Sequence, residues 1–163
     1  MKKLILIISV GLFLLSCGDG NSSGEEKQLK NLREEVIERY DGGDKKVVGY
    51  YDGEGSNEVI VKRVHYYSQN DGGRKEKEEN YKNGQLEGKY YEWYENGNKK
   101  KDCNYKNGKL DGKYLYWYSN GKRHTVKNYK NGLTEGEYIW FDDDESIVSH
   151  YIYKDGEIIK TIK

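Results

Sequence analysis

Two hydrophobic rhythms divide this chain. The first 16 residues carry a short basic start, Lys2 and Lys3, followed by an apolar stretch from Leu4 to Leu15. From residue 33 onward, short aromatic and β-branched runs alternate with Gly, Asn and Asp. The segment Lys89-Tyr90-Tyr91-Glu92-Trp93-Tyr94 predicts a strand by composition, and Asn96-Gly97 ends it with a dipeptide able to take the positive φ angles of a tight hairpin turn. Lys99 to Lys106 runs back, Asn107-Gly108 turns again, and Lys109-Leu110-Asp111-Gly112 leads into the next pass. The pattern predicts an all-β chain: antiparallel hairpins in series, each strand about seven or eight residues long, laid side by side as an elongated single-sheet or solenoid-like ribbon. Ten such strands would span about 45 Å. Between leader and hairpins, Gly18 to Gly24 reads as a flexible spacer. Glu25 to Asn31 fits a short helix through the stripe Leu29, Leu32, Val36 and Tyr40, while Glu34 to Tyr40 also fits a strand entering a turn at Asp41-Gly42-Gly43.

The hairpins repeat. Asn-Tyr-Lys-Asn-Gly begins at Asn80, Asn104 and Asn128, a spacing of 24 residues each time. The same frame aligns Gly88, Gly112 and Gly136, then Tyr90, Tyr114 and Tyr138, then Trp93, Trp117 and Phe141. A further copy opens at Tyr153-Lys154-Asp155-Gly156. Upstream the pattern is degenerate: Tyr40 to Lys46 echoes Tyr94 to Lys100, and His65-Tyr66-Tyr67 echoes Glu92-Trp93-Tyr94 with about three extra residues in the following turn. Such a period describes an array in which each unit packs on its neighbours. The chain therefore divides into a leader (1–16), Cys17 with a tether and short helix (17–32), degenerate hairpin repeats (33–79) and regular repeats (80–163).

The unit G-x-Y-x-x-W-Y-x-x-N-G followed by N-Y-K-N-G-x-L-x-G resembles the MORN-variant repeat family, over Asn80 to Gly156 at good quality. That resemblance implies a protein or membrane interaction scaffold rather than a catalyst; some members carry the label of antitoxin components of toxin–antitoxin pairs. Asp142-Asp143-Asp144-Glu145 departs from the pattern, replacing the aromatic and the Asn-Gly of the turn, so an irregular hairpin is expected there.

The leader adds a location. Its apolar stretch is too short for a bilayer core, which takes about 20 helical residues, and fits an export signal. Leu14-Leu15-Ser16-Cys17 resembles the lipobox of bacterial lipoproteins. The resemblance implies cleavage before Cys17, lipidation of its thiol, and acylation of the new amino terminus, a multiple anchor that holds a protein on a membrane. The alternative is an ordinary secretory signal with a chance cysteine. Gly18 follows Cys17, where the inner-membrane retention signal would have Asp, so the expected location is the cell envelope, at the outer membrane where the cell has one.

Composition narrows the function classes. With 28 basic and 28 acidic residues the formal charge is zero, which gives no attraction for nucleic acid. The chain holds 17 Tyr against 3 Trp and 2 Phe, and no Pro, which favours strands and turns over a disordered coil. With Cys17 lipidated, Cys103 is left alone and is expected to be a half-buried strand residue. Two cysteines and the scattered His65, His124 and His150 give no zinc spacing, and no cofactor or metal is expected. No nucleophile stands beside a histidine in the pattern, so the chain is not expected to be an enzyme. Asp142 to Glu145 reads as a solvated acidic turn rather than a calcium loop, and Gly53-Glu54-Gly55-Ser56 as a turn rather than a phosphate loop.

Strand parity leaves two aromatic faces. Tyr91, Trp93, Leu115, Trp117, Ile139 and Phe141 point one way, and this more apolar set is expected to be the packed face. Tyr90, Tyr94, Tyr114, Tyr116, Tyr118, Tyr138 and Trp140 point the other way. From that second set Tyr90, Tyr114, Tyr116, Tyr138 and Trp140 are the candidate partner-binding residues, for a protein partner or, alternatively, for a glycan or cell-wall polymer stacked on the rings.

Overall fold

The computed structural model describes residues 32–163. The leader, Cys17, the tether and the expected helix near Glu25 to Asn31 lie outside the described residues. From Arg33 on, twelve strands form one antiparallel sheet in sequence order: β1 Arg33–Arg39, β2 Lys45–Asp52, β3 Val59–Tyr66, β4 Lys75–Lys82, β5 Gln85–Trp93, β6 Lys99–Lys106, β7 Lys109–Leu110, β8 Gly112–Trp117, β9 Arg123–Lys130, β10 Leu133–Phe141, β11 Ile147–Lys154 and β12 Glu157–Thr161. β7 and β8 are successive pieces of one track, both paired to β6, so the sheet has eleven tracks rather than the ten expected. The sheet is open. Among the described residues β1 pairs only with β2 and β12 only with β11.

Two kinds of turn alternate along it, one on each margin. On one margin the dipeptides Asn83-Gly84, Asn107-Gly108, Asn131-Gly132 and Asp155-Gly156 take positive φ at both residues, 50–52° and 74–88°. This is the two-residue turn whose twist matches that of paired strands. On the other margin only the last turn residue is left-handed: Gly43, Gly97 and Gly121 at φ 87–89°. Asn96 and Asn120 keep ordinary angles, because these are three-residue loops closed by bonds such as Gly97 N–H to Tyr94 O (2.8 Å) and Tyr94 N–H to Asn98 O (2.9 Å). Contrary to expectation, Asp142 to Ser146 forms the same loop, with matching bonds of 2.9 Å, and Glu145 takes the glycine position at φ 66°. The turn after Tyr67 has the extra residues expected, closing at Arg74 through a 2.9 Å bond.

Hydrogen bonds between successive units tie the array at both margins. Tyr40, Tyr67, Tyr94 and Tyr118 donate their hydroxyls to the carbonyls of Tyr66, Trp93, Trp117 and Phe141, at 2.7–3.0 Å. Each of these four tyrosines therefore reaches the end of the equivalent strand in the next unit. On the Asn-Gly margin, the amides of Gly108, Gly132 and Gly156 donate to the carbonyls of Leu86, Leu110 and Thr134, at 2.8–3.0 Å. The preceding amides of Asn107, Asn131 and Asp155 donate to the carboxylates of Glu87, Asp111 and Glu135, at 2.7–3.0 Å. This explains why an acidic residue stands before Gly88, Gly112 and Gly136.

A single sheet has no second layer, so burial comes from side chains leaning on cross-strand neighbours. The buried positions are few and lie on both faces: Val48 and Val64 on one, Val47, Glu79, Tyr90, Cys103, Thr125 and Ser149 on the other, with Phe141 near a turn. Cys103 is 1% exposed, so it is fully rather than half buried.

Candidate interaction surface

The tyrosine-rich face is built by a rule that each unit repeats. Gly88, Gly112 and Gly136 lie across from Tyr105, Tyr129 and Tyr153, in left-handed conformation at φ 75–98°. A side chain at these glycines would be strained, and their bare backbone gives the opposing ring room to lie over the strand. That ring then meets the next tyrosine along: Tyr105 with Tyr90 at 5.5 Å between centroids, Tyr129 with Tyr114 at 5.8 Å, Tyr153 with Tyr138 at 6.0 Å. Lysines complete the packing. Lys101 sits over Tyr90 at 4.7 Å and Tyr114 at 5.6 Å, and Lys127 over Tyr138 at 4.6 Å.

Three of the five candidate binding residues are thus occupied by the array itself. Tyr90, a candidate partner-binding residue, is only 8% exposed; desolvation and its hydroxyl bond to Glu92 (2.6 Å) keep it protonated well above the ordinary tyrosine range. Tyr114 and Tyr138 are half-buried, and burial raises both. The burial expected for the two faces is therefore inverted at Tyr90, while Trp93 and Trp117 of the supposed packed face remain half-exposed, roofed by Lys75 and Lys99.

Tyr116 and Trp140 differ from the other three. They stand where the repeats themselves vary, in the place held by Glu92 one unit earlier. Among the described residues Trp140 is the one exposed aromatic ring, at 38%. Its strand neighbours are small, buried hydroxyl residues, Thr125 on β9 and Ser149 on β11. His124 fills the space towards Tyr116, with ring centroids 5.2 Å from Tyr116, 4.6 Å from Tyr118 and 6.2 Å from Trp140. Strand counting alone places His124 on the opposite face. A bulge between Tyr116 and Trp117 swings it onto this one. Burial, with Lys127 nearby, lowers its pKa, so the imidazole is neutral at pH 7.

Two histidine contacts lie on this face. His124 Nδ1 lies 2.6 Å from Thr125 Oγ1, a pairing the sequence reading missed, and Thr125 is 6% exposed. His65 Nε2 lies 3.0 Å from Glu79, which also holds Lys77 at 3.1 Å. Burial pushes the Glu79 carboxyl up, and its bonds and charge interactions with His65 and Lys77 outweigh that, leaving it at about 2. A depression of about 240 Å³ beside Tyr67, Lys77, Glu92 and Lys100 falls below the range of usual ligand pockets. Among the described residues no cluster of His, Cys, Asp and Glu has metal-binding geometry, and no helix is long and apolar enough to cross a membrane. No protein-family model matches the chain, and no curated protein matches it either.

Proposed function

We propose that this chain is an envelope lipoprotein, anchored through Cys17, whose hairpin array is a scaffold for a protein partner centred on Trp140 and Tyr116. The observation that carries the reading is the exposure of Trp140, on a face where the other rings are spent on the array. A partially exposed indole beside Tyr116 and His124 is the kind of aromatic anchor that dominates protein interfaces. Trp140→Ala should leave the thermal melt nearly unchanged and abolish capture of the partner from solubilised envelope; retained capture would move the site elsewhere. Metabolic labelling with a fatty acid should mark the wild type and not Cys17→Ala.

A second reading has its own support. An indole flanked by Thr125 and Ser149 also suits the apolar face of a sugar ring, so a glycan or wall polymer is the alternative ligand. Binding to purified wall material, lost in Trp140→Ala, would favour it over the protein partner.

A further inference from the structure

We propose that Asn83 is a site of spontaneous chemical modification, converting to aspartate and isoaspartate through a cyclic imide while the equivalent asparagines are protected. The chain contains five Asn-Gly dipeptides, at 83, 96, 107, 120 and 131. Lacking a side chain, glycine leaves its amide nitrogen open to reach the asparagine side chain. That nitrogen, after losing its proton to hydroxide, attacks Cγ of the preceding asparagine. The new N–Cγ bond closes the imide, the Cγ–Nδ2 bond breaks, and the departing nitrogen takes a proton from water to leave as ammonia. Water then opens the imide at either carbonyl. No oxidant or reductant enters.

The fold restrains four of the five. Gly108 and Gly132 have their amides bonded to Leu86 O and Leu110 O, and Asn107 and Asn131 have theirs bonded to Glu87 and Asp111. Gly97 and Gly121 donate to Tyr94 O and Tyr118 O. The side chains of Asn96 and Asn120 are engaged too, accepting from the amides of Asn98 and Lys122 at 3.0 and 2.9 Å. Among the described residues Asn83-Gly84 has none of these restraints: the turn that precedes it, Gly53 to Glu58, has a different conformation and supplies no equivalent of Leu86 O or Glu87. Its outer side is also open. Among the described residues a Cβ built on Gly84 meets nothing within 4 Å, whereas on Gly108 and Gly132 it meets Gln85 at 3.9 Å and Lys109 at 3.7 Å. The turn geometry accepts the aspartate product, since Asp155 already holds this position at φ 51°.

The test is peptide mapping by mass spectrometry after incubating the folded protein in mildly alkaline buffer, following the mass gain as an amide becomes an acid. Asn83 should react roughly tenfold faster than Asn107 or Asn131 in the folded state, and the five rates should converge in urea. Glu87→Ala should speed reaction at Asn107 and leave Asn131, held by Asp111, unchanged. Equal folded-state rates at 83, 107 and 131 would overturn the proposal, as would an unaltered rate at Asn107 in a folded Glu87→Ala protein.

Discussion

The tyrosine hydroxyls that join successive units offer a direct measure of what holds an unlayered sheet together. Tyr94→Phe removes one oxygen, keeps the ring, and deletes the 2.7 Å bond to Trp117 O. The net worth of such a bond is about 1 kcal/mol, and a half-buried carbonyl left without its donor adds to the loss, so about 1–1.5 kcal/mol should disappear. For a domain of this size that corresponds to a fall of about 4 °C in Tm. Tyr118→Phe, which deletes the 3.0 Å bond to Phe141 O, should cost a similar amount. The backbones of the two tyrosines stand two strands apart, about 10 Å, while the Tyr94 hydroxyl bonds the peptide unit that leads into Tyr118; the double variant should lose about 2–3 kcal/mol, and a departure from the sum of the single losses beyond about 0.5 kcal/mol measures coupling through that peptide. Urea melts followed by far-UV circular dichroism supply the free energies, with Tyr138→Phe as a control. Tyr138 packs by its ring on Tyr151 and Tyr153, and its hydroxyl takes no part in the series. If Tyr94→Phe and Tyr118→Phe melt like the control, the hydroxyl bonds contribute nothing, and ring packing alone must join the units.

Three further outcomes follow from the same geometry. Deleting Tyr105 to Asn128 should leave a folded protein, because Tyr129 then faces Gly88, Gly132 N–H meets Leu86 O and Tyr94 meets Phe141 O; a melt as poor as that of an out-of-frame deletion lacking Tyr105 to Val126 would contradict a modular array. The folded pKa of Glu79, about 2 against an ordinary 4.5, means that its stabilisation is complete above pH 4.5 and disappears as pH falls towards 2, so Glu79→Gln should flatten the dependence of the urea midpoint on pH across that window. Burial pushes the Cys103 thiol up to about 11, so alkylation should be at least about 100-fold slower in the folded protein than in urea; comparable rates would mean that the centre of the sheet opens readily.

The strands and the turns at Asn83, Asn107 and Asn131 are legible residue by residue, because Asn107-Gly108 has one low-energy way to reverse a strand pair; at Asn96 and Asn120 the same dipeptide closes a three-residue loop in which only the glycine is left-handed. The burial of each face is not legible. Parity assigns Tyr90 and Trp140 to one face and says nothing of depth, which depends on whether a neighbouring ring and lysine close over the position, as Tyr105 and Lys101 do at Tyr90. His124 was also hidden, since the bulge that rotates it onto the tyrosine face leaves no mark in the alternation of residues. At Asp142 to Ser146 the missing glycine suggested an irregular turn, yet the hydrogen-bonded loop forms with Glu145 at φ 66°. Placing a non-glycine residue in that region costs about 1–2 kcal/mol, which the neighbouring strand pairing overcomes.

The longer loop between Tyr67 and Arg74 shows where this architecture can grow. Despite its added residues, Tyr67 still reaches Trp93 O at 2.8 Å, and β3 and β4 keep their pairing. Since the entropy of closing a loop rises only with the logarithm of its length, by about 0.6 kcal/mol per doubling, this margin accepts new sequence cheaply. From Asn107 onward the opposite margin does not, because there the turn amides themselves carry the bonds to the preceding unit. The sheet thus has one row of docking ports and one sealed seam: an epitope or a reporter peptide spliced in place of Gln69 to Gly72 would ride on the scaffold, whereas the same insert at Asn107-Gly108 would unzip it.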